Sequence, residues 1–344
     1  MTRSGNVDLA KFFASLIVMM QHASLVLSVR PYNDCWIYVE FFLIITGFYT
    51  AKHFDNRKFD NRMKESIAYT LRKFIPFYPY TLVTTIFMYL LTLLPKLILG
   101  DINVKGFLFG FVDDFPFDAL LITASYGNPL VRPLWYLSAM LIVFPLVAWF
   151  VQISNRYIIL YYSFFYMLIY YGIKGVTAER STISTFFRII AGLCVGIFIY
   201  QIIYIFSEEK KEKRIKINKI LLTSIEVGAF IFPIIIIYNK CDSTRFILLC
   251  FVVWCSIMLS GFSYSNSIKG KAITYLGRLS MPIYIHHWLV GNLIRYCLTE
   301  NIISAPIKLL LYYGSTIVIS MITMYLIDHW KWFQNLIKCE WKFL

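Results

Sequence analysis

Ten apolar runs divide this chain, each long enough, at about 18 to 25 residues, to cross a hydrocarbon core of roughly 30 Å as a helix. They cover residues 9–29, 34–51, 75–99, 133–152, 156–173, 184–206, 220–238, 245–262, 275–298 and 306–328. A soluble fold has no way to cover so many long apolar segments. The expected architecture is therefore an all-α, polytopic membrane helical bundle of about ten transmembrane helices. Composition agrees: 59% of the residues are hydrophobic, only 15% are charged, and the mean hydropathy is +0.65. A net charge of +14 would suit nucleic acid if it formed one stripe, but the basic residues lie in short clusters between apolar runs. That placement points to loops facing anionic membrane lipid and to no nucleic-acid partner.

Loop charge sets the expected orientation. With the N-terminus inside, the inner side receives 22 of the 33 lysines and arginines, which supports an N-in, C-in topology. The strongest inner loops are "KHFDNRKFDNRMKESIAYTLRK" (52–73) and "SEEKKEKRIKINK" (207–219). The stretch 104–126 carries Asp113, Asp114, Pro116 and Asp118, and is expected to be an outer loop with a re-entrant or interfacial part. No internal repeat and no appended soluble domain is visible, so residues 1–344 read as a single membrane domain. The seven cysteines are scattered without metal-ligand spacing or a disulfide framework.

Polar residues inside apolar runs are expensive in lipid and point to function. Lys11 and His22 break the first run. Eleven helical steps of 100° return to within about 20° of the starting direction, and rise about 16 Å, so the two share one helix face. The competing reading is a snorkelling lysine plus a histidine bonded to a neighbouring helix. Glu40 enters the second run at a depth comparable with His22, which makes a Glu40–His22 contact geometrically available; its alternative is a buried pair that only locks two helices. In the ninth run His286 and His287 lie near mid-membrane and point about 100° apart, so one of them at most faces His22. A zinc site drawn from these histidines and Glu40 lacks an i, i+4 ligand pair, and no metal is expected. Arg72 and Lys73 stand at the inner mouth of the third run, just before Pro76 and Pro79. They are either positive-inside anchors or a basic rim for a phosphate-rich donor.

Several fragments together resemble the integral-membrane acyltransferase family 3, which includes bacterial O-antigen, capsule and exopolysaccharide O-acetylases. A basic residue, ten others and a histidine resembles "KFFASLIVMMQH" (Lys11 to His22), with Lys where many members carry Arg. "FFLIITGF" (Phe41 to Phe48) is similar to the family's second-helix motif, with Thr46 in place of the usual Ser. "PLWYLSAML" (Pro133 to Leu141) resembles a stretch containing Trp135, "LGRLSMPIYIHHW" aligns His287 with the family histidine, and "YLIDHWKWF" places Asp328 at an acidic position. The double-arginine motif ahead of the third helix is not intact at Arg72 and Lys73. The resemblance covers nearly the whole chain. It implies a multi-pass protein of the bacterial cytoplasmic membrane that moves an acyl group, most often acetyl, from cytosolic acyl-CoA to a hydroxyl of a cell-surface or lipid-linked glycan. Acyl-CoA is then a donor substrate, and no bound cofactor is implied.

Transfer from thioester to alcohol needs a base of near-neutral pKa and stabilisation of an oxyanion. His22 is the expected base, with Glu40 orienting it. Lys11, Arg72 and Lys73 are expected to hold the donor phosphates, and Trp135 and His287 to line the substrate site. A glycan or lipid transporter or flippase subunit is the rival reading, although its symmetric, paired helix breaks are not visible in the sequence.

Overall fold

The computed structural model describes residues 4–27, 32, 34–57, 59–113, 115–123, 130–153, 155–175, 182–213, 218–241, 243–298 and 303–338. Among the described residues there is no strand. The helices are α1 (Gly5–Gln21), α2 (Tyr38–Phe54), α3 (Arg62–Phe74), α4 (Tyr78–Ile98), α5 (Val104–Asp113), α6 (Phe115–Ala119) and α7 (Leu134–Ile153), then α8 (Arg156–Ile173), α9 (Thr182–Lys213), α10 (Lys219–Tyr238), α11 (Thr244–Ser260), α12 (Lys271–Cys297), α13 (Ala305–His329) and α14 (Lys331–Lys338). A helix overlaps each of the ten apolar runs.

Five stretches are long and apolar enough to cross a membrane by length and composition: Arg62–Ile98, Leu134–Ile153, Ile183–Glu209, Lys219–Tyr238 and Ala305–His329. The protein is an integral membrane protein. The helices outside that set include those bearing the intramembrane polar residues. α1 and α2 have 17 residues each, and α12 carries Arg278, His286 and His287. Their apolar surface is covered mainly by protein. In α2 every residue from Tyr38 to Ala51 is buried except Thr46 and Tyr49.

The first run departs from the expected single helix over 9–29. α1 ends at Gln21, His22 takes a non-helical backbone conformation (φ −99°, ψ 7°), and a single 3₁₀ turn follows at Ala23–Leu25. His22 therefore stands at a helix end, where the chain already has freedom to bend. Of the 104–126 stretch, residues 124–126 lie outside the described residues, and the described part contains the short helices α5 and α6, each too short to cross a bilayer. Val104, Leu108, Phe109 and Val112 are exposed. Asp118 is buried, and its Oδ2 accepts a hydrogen bond from the Leu130 amide at 3.0 Å.

Two close seams hold the site. α1 runs beside α12 in the same direction: Gly5 lies against Ile268 and Lys269, Gly277 against Asp8, and Gly291 against Leu25. α2 runs likewise beside α9, where Gly192 and Gly196, four residues apart, let backbones approach as small residues do in membrane helix pairs. A methyl group on Gly196 would strike the Ile44 carbonyl, and one on Gly47 the Leu193 carbonyl. α9 has 32 residues, a rise of about 48 Å, so it projects well beyond a core of roughly 30 Å. On one end of the bundle lies the amphipathic α3. Its Asn61 side chain caps the helix by accepting from the Lys64 amide at 2.9 Å.

Candidate active site

A cavity of about 430 Å³ opens at the end of the bundle where α1 begins and α13 finishes. Three cations, Lys11, Lys73 and Arg278, and one anion, Asp328, lie in its wall, and Thr46, Tyr49 and Tyr136 form part of its apolar and hydroxyl lining. Thr46 and Tyr49, the half-buried positions between Tyr38 and Ala51, thus face this space. Arg278 Nη2 donates to both oxygens of Asp328, at 2.5 and 2.6 Å, and both side chains remain partly exposed. The wall gathers positive charge: cations from α1, α3 and α12 converge on one volume, with apolar rings behind them, a lining whose chemistry suits an anion.

Beyond the far end of α1 stands a second, drier group. His22 stacks on His287, with ring centroids 5.1 Å apart and planes at 28°, and meets the edge of Trp288 at 5.2 Å. His287 is fully buried, and its Nδ1 lies 3.3 Å from the Ile283 carbonyl oxygen. A carbonyl only accepts, so this contact puts the proton on Nδ1 and leaves Nε2 with its lone pair. Nε2 is buried and has no hydrogen-bond partner among the described residues. His286, one residue earlier, is absorbed structurally. Its Nδ1 meets Thr84 Oγ1 at 2.6 Å and its Nε2 meets Thr323 Oγ1 at 2.9 Å, stapling α12 between α4 and α13. The 100° step between neighbours on a helix separates the two histidines, and the one facing His22 is His287.

Aromatic rings connect the cavity to this pair. Tyr136, in the cavity wall, lies 5.8 Å from Tyr284, which lies 5.9 Å from His287. Tyr284 Oη donates to the Pro133 carbonyl at 3.0 Å. On the other side Trp288 Nε1 donates to the Leu130 carbonyl at 3.0 Å, and the Arg132 guanidinium sits 5.5 Å over the Trp288 ring. Because Asp118 holds the Leu130 amide, the α5–α6 segment is tied to the indole that abuts His22.

Not every expected site residue is where the sequence suggested. Glu40 does not pair with His22. Its fully buried carboxylate accepts from Arg188 Nε at 2.5 Å and from Tyr171 Oη at 2.6 Å, so it joins α2 to α8 and α9. The Arg188 guanidinium is flanked by Trp36 at 4.6 Å and Trp135 at 5.3 Å. Trp135 accordingly faces this ion pair and is absent from the cavity wall, which its neighbour Tyr136 joins. Arg72 turns away from the cavity and pairs with Glu65 on the exposed face of α3, whereas Lys73, one residue on, lines the cavity. Lys11 lines it as well. Sequence reasoning missed Arg188, Tyr171, Tyr136 and the place of Arg278 in the cavity. A signal existed for Arg188, an arginine in the run 184–206 that needed a partner.

At the rim, two residues past the apolar run that ends at 51, His53 stacks on Tyr69 at 4.4 Å. Burial, with Arg57, Lys73 and Arg72 adding positive charge nearby, pushes its pKa down to about 4. Among the described residues, no group of three or more His, Cys, Asp and Glu side chains gathers as metal ligands.

Residues 4–325 match the model of a family described as an acyltransferase domain. No curated protein and no solved structure matches the chain.

Proposed function

The chain belongs to acyltransferase family 3, and from that premise we propose that it is an O-acyltransferase drawing an acyl group, chiefly acetyl, from cytosolic acyl-CoA. The acceptor in this reading is a hydroxyl of a cell-surface or lipid-linked glycan, and the setting is a bacterial cytoplasmic membrane crossed ten times with both termini inside. One observation carries it: the cation-lined cavity at one end of α1 is joined, through Tyr136 and Tyr284, to the His287–His22 pair at the other. The pyrophosphate and ribose phosphate of acyl-CoA suit Lys11, Lys73 and Arg278, of which Arg278 offers a planar fork once it exchanges Asp328 for phosphate. Lys11 and His22 are separated by about 16 Å of helix, a distance a pantetheine arm spans, so the thioester reaches the imidazoles while the nucleotide stays at the inner mouth. The acceptor proton leaves to the histidine pair, and the dry aromatic surroundings strengthen every hydrogen bond to the developing oxyanion.

Membranes given labelled acetyl-CoA and glycan test the reaction: wild type labels the glycan and His22→Ala does not. Full labelling by His22→Ala removes His22 from the mechanism. In a deletion strain the glycan loses acetyl groups while its export continues; loss of export with acetylation intact favours a carrier instead. Topology has its own check. Cys241 and Cys297 are exposed free thiols at the ends of α10 and α12 that this orientation places outside. A membrane-impermeant maleimide added to intact cells labels both, and labelling only after lysis inverts the topology.

A further inference from the structure

Resting on the O-acyl transfer reading, we propose that Nε2 of His287, and not His22, takes the acceptor's hydroxyl proton, while His22 donates a hydrogen bond to the thioester oxygen. The argument starts from the two neighbouring histidines of α12. His286 has both ring nitrogens engaged by threonines and has no nitrogen left for a substrate. His287 has one nitrogen committed to the Ile283 carbonyl and the other buried without a protein partner among the described residues. Buried polar atoms are almost always hydrogen-bonded, and leaving one bare costs on the order of 1–3 kcal/mol. A lone pair held bare beside a second imidazole is what a proton acceptor requires, because Nδ1–H, fixed by a backbone carbonyl, sets the tautomer without a carboxylate. That carbonyl does the orienting work expected of Glu40, which is spent on Arg188 and Tyr171.

The stack fixes the division of labour. Two imidazoles with centroids 5.1 Å apart do not both carry charge readily, because like charges that close repel in a dry site. His287 charges transiently, and His22 stays neutral, so that one of its ring nitrogens carries the hydrogen that meets the oxyanion. His22 is half-buried where His287 is fully buried. Substrates therefore meet His22 first, and its position just past the end of α1 lets that ring swing as they dock. In the step, the acceptor O–H bond breaks and its proton moves to Nε2 as the oxygen attacks the thioester carbonyl carbon. The oxyanion rests on the His22 N–H, the C–S bond breaks, and the proton passes from Nε2 to the departing thiolate. The products are the ester and the free thiol of coenzyme A.

Glutamine separates the two roles, since its amide donates a hydrogen bond but accepts no proton. For His287 the Gln and Ala variants should lose kcat alike, by about 100-fold or more, with KM for acetyl-CoA unchanged. For His22 the Gln variant should retain about 10-fold more kcat than Ala. If His287→Gln does not fold, His287→Ala assayed with added imidazole decides: recovery of kcat supports the assignment and no recovery overturns it. Full kcat in His287→Gln beside inactive His22 variants overturns this assignment and leaves acyl transfer standing. Full kcat in the variants of both histidines removes the reading on which it rests.

Discussion

The two ends of α1 place polar groups by opposite means. At the cavity end, Lys11, Lys73 and Arg278 are partly open to solvent, carry charge, and converge because several helix ends meet around one cavity. At the histidine end, His22 and His287 lie among Trp288 and Tyr284, with ring stacking between them and one backbone carbonyl on His287, and no carboxylate touches His287 among the described residues. The difference teaches where each kind of chemistry survives in a membrane protein. Charges can remain where water screens them and a ligand of opposite sign arrives. A proton acceptor in a dry interior has to be neutral and oriented by neutral groups, because a permanent charge there would demand its own buried counter-ion. Glu40 is the illustration: as a buried carboxylate it is fully taken up by Arg188 and Tyr171, and has nothing left for His22.

The largest expected effect tests the dry end. His22→Ala should lower kcat by about 10²- to 10⁴-fold, roughly 3–5 kcal/mol of barrier, while half-saturation by acetyl-CoA stays in place. A loss confined to KM would mean that the histidine end binds the donor, and the contrast between the two ends would fail. Glu40→Gln comes next, and its effect should fall on stability. Removing one partner of a buried ion pair strands the other charge, at about 3–5 kcal/mol, seen as a lower denaturation midpoint in detergent. An unchanged midpoint with a large fall in kcat would return Glu40 to the role of orienting the base.

Much of this was legible beforehand, for physical reasons that also mark the limit. Apolar runs of spanning length dictate helices, and each of the ten has its helix. Lys11 and His22 stand out in the sequence because lipid penalises them, and the fold puts Lys11 in the cavity wall and His22 against His287. What stayed hidden depends on rotation about a helix axis and on distant pairing. Arg72 and Lys73 are equivalent in composition, yet the 100° between them sends one to Glu65 and the other into the cavity. Glu40 and Arg188 are 148 residues apart in sequence, and no local pattern chooses that partner over the nearer His22. The Gly192-to-Gly196 spacing was a readable signal of the α2–α9 seam, because close helix contact in membranes selects small residues four apart. The end of α1 at Gln21 had no such signal, since the apolar run continues through it.

A middle-sized effect sharpens the cavity end. Lys11→Ala, Lys73→Ala and Arg278→Ala should each raise KM for acetyl-CoA about 10-fold, as expected for one charge-assisted contact of about 1.5 kcal/mol, and added salt should shrink the difference. Arg72→Ala should leave KM within about two-fold, because its guanidinium is committed to an exposed pair of little energetic weight. Equal effects for Arg72 and Lys73 would mean that the rim acts as a diffuse field and not as a built site.

The smallest effect compares two neutral imidazoles, one at each end. His287 owes its tautomer to a carbonyl in a dry interior, so bulk pH and salt reach it only through the reaction. His53 is depressed to about 4 by burial and by Arg57, Lys73 and Arg72. The unfolded chain, with a histidine pKa near 6.5, binds more protons than the folded protein between those values, so stability is complete above about 6.5 and is lost as pH falls toward 4. Because His53 is only half-buried, solvent screening reduces the effect to about 1 kcal/mol. Thermal denaturation of the detergent-solubilised protein at a series of pH values should show this acid loss in wild type and a flatter profile in His53→Gln, with high salt moving wild type part of the way. A His53→Gln profile that falls as steeply as wild type would assign the acid sensitivity to other groups. The cavity rim would then be no more responsive to solvent than the histidine pair at the far end of α1.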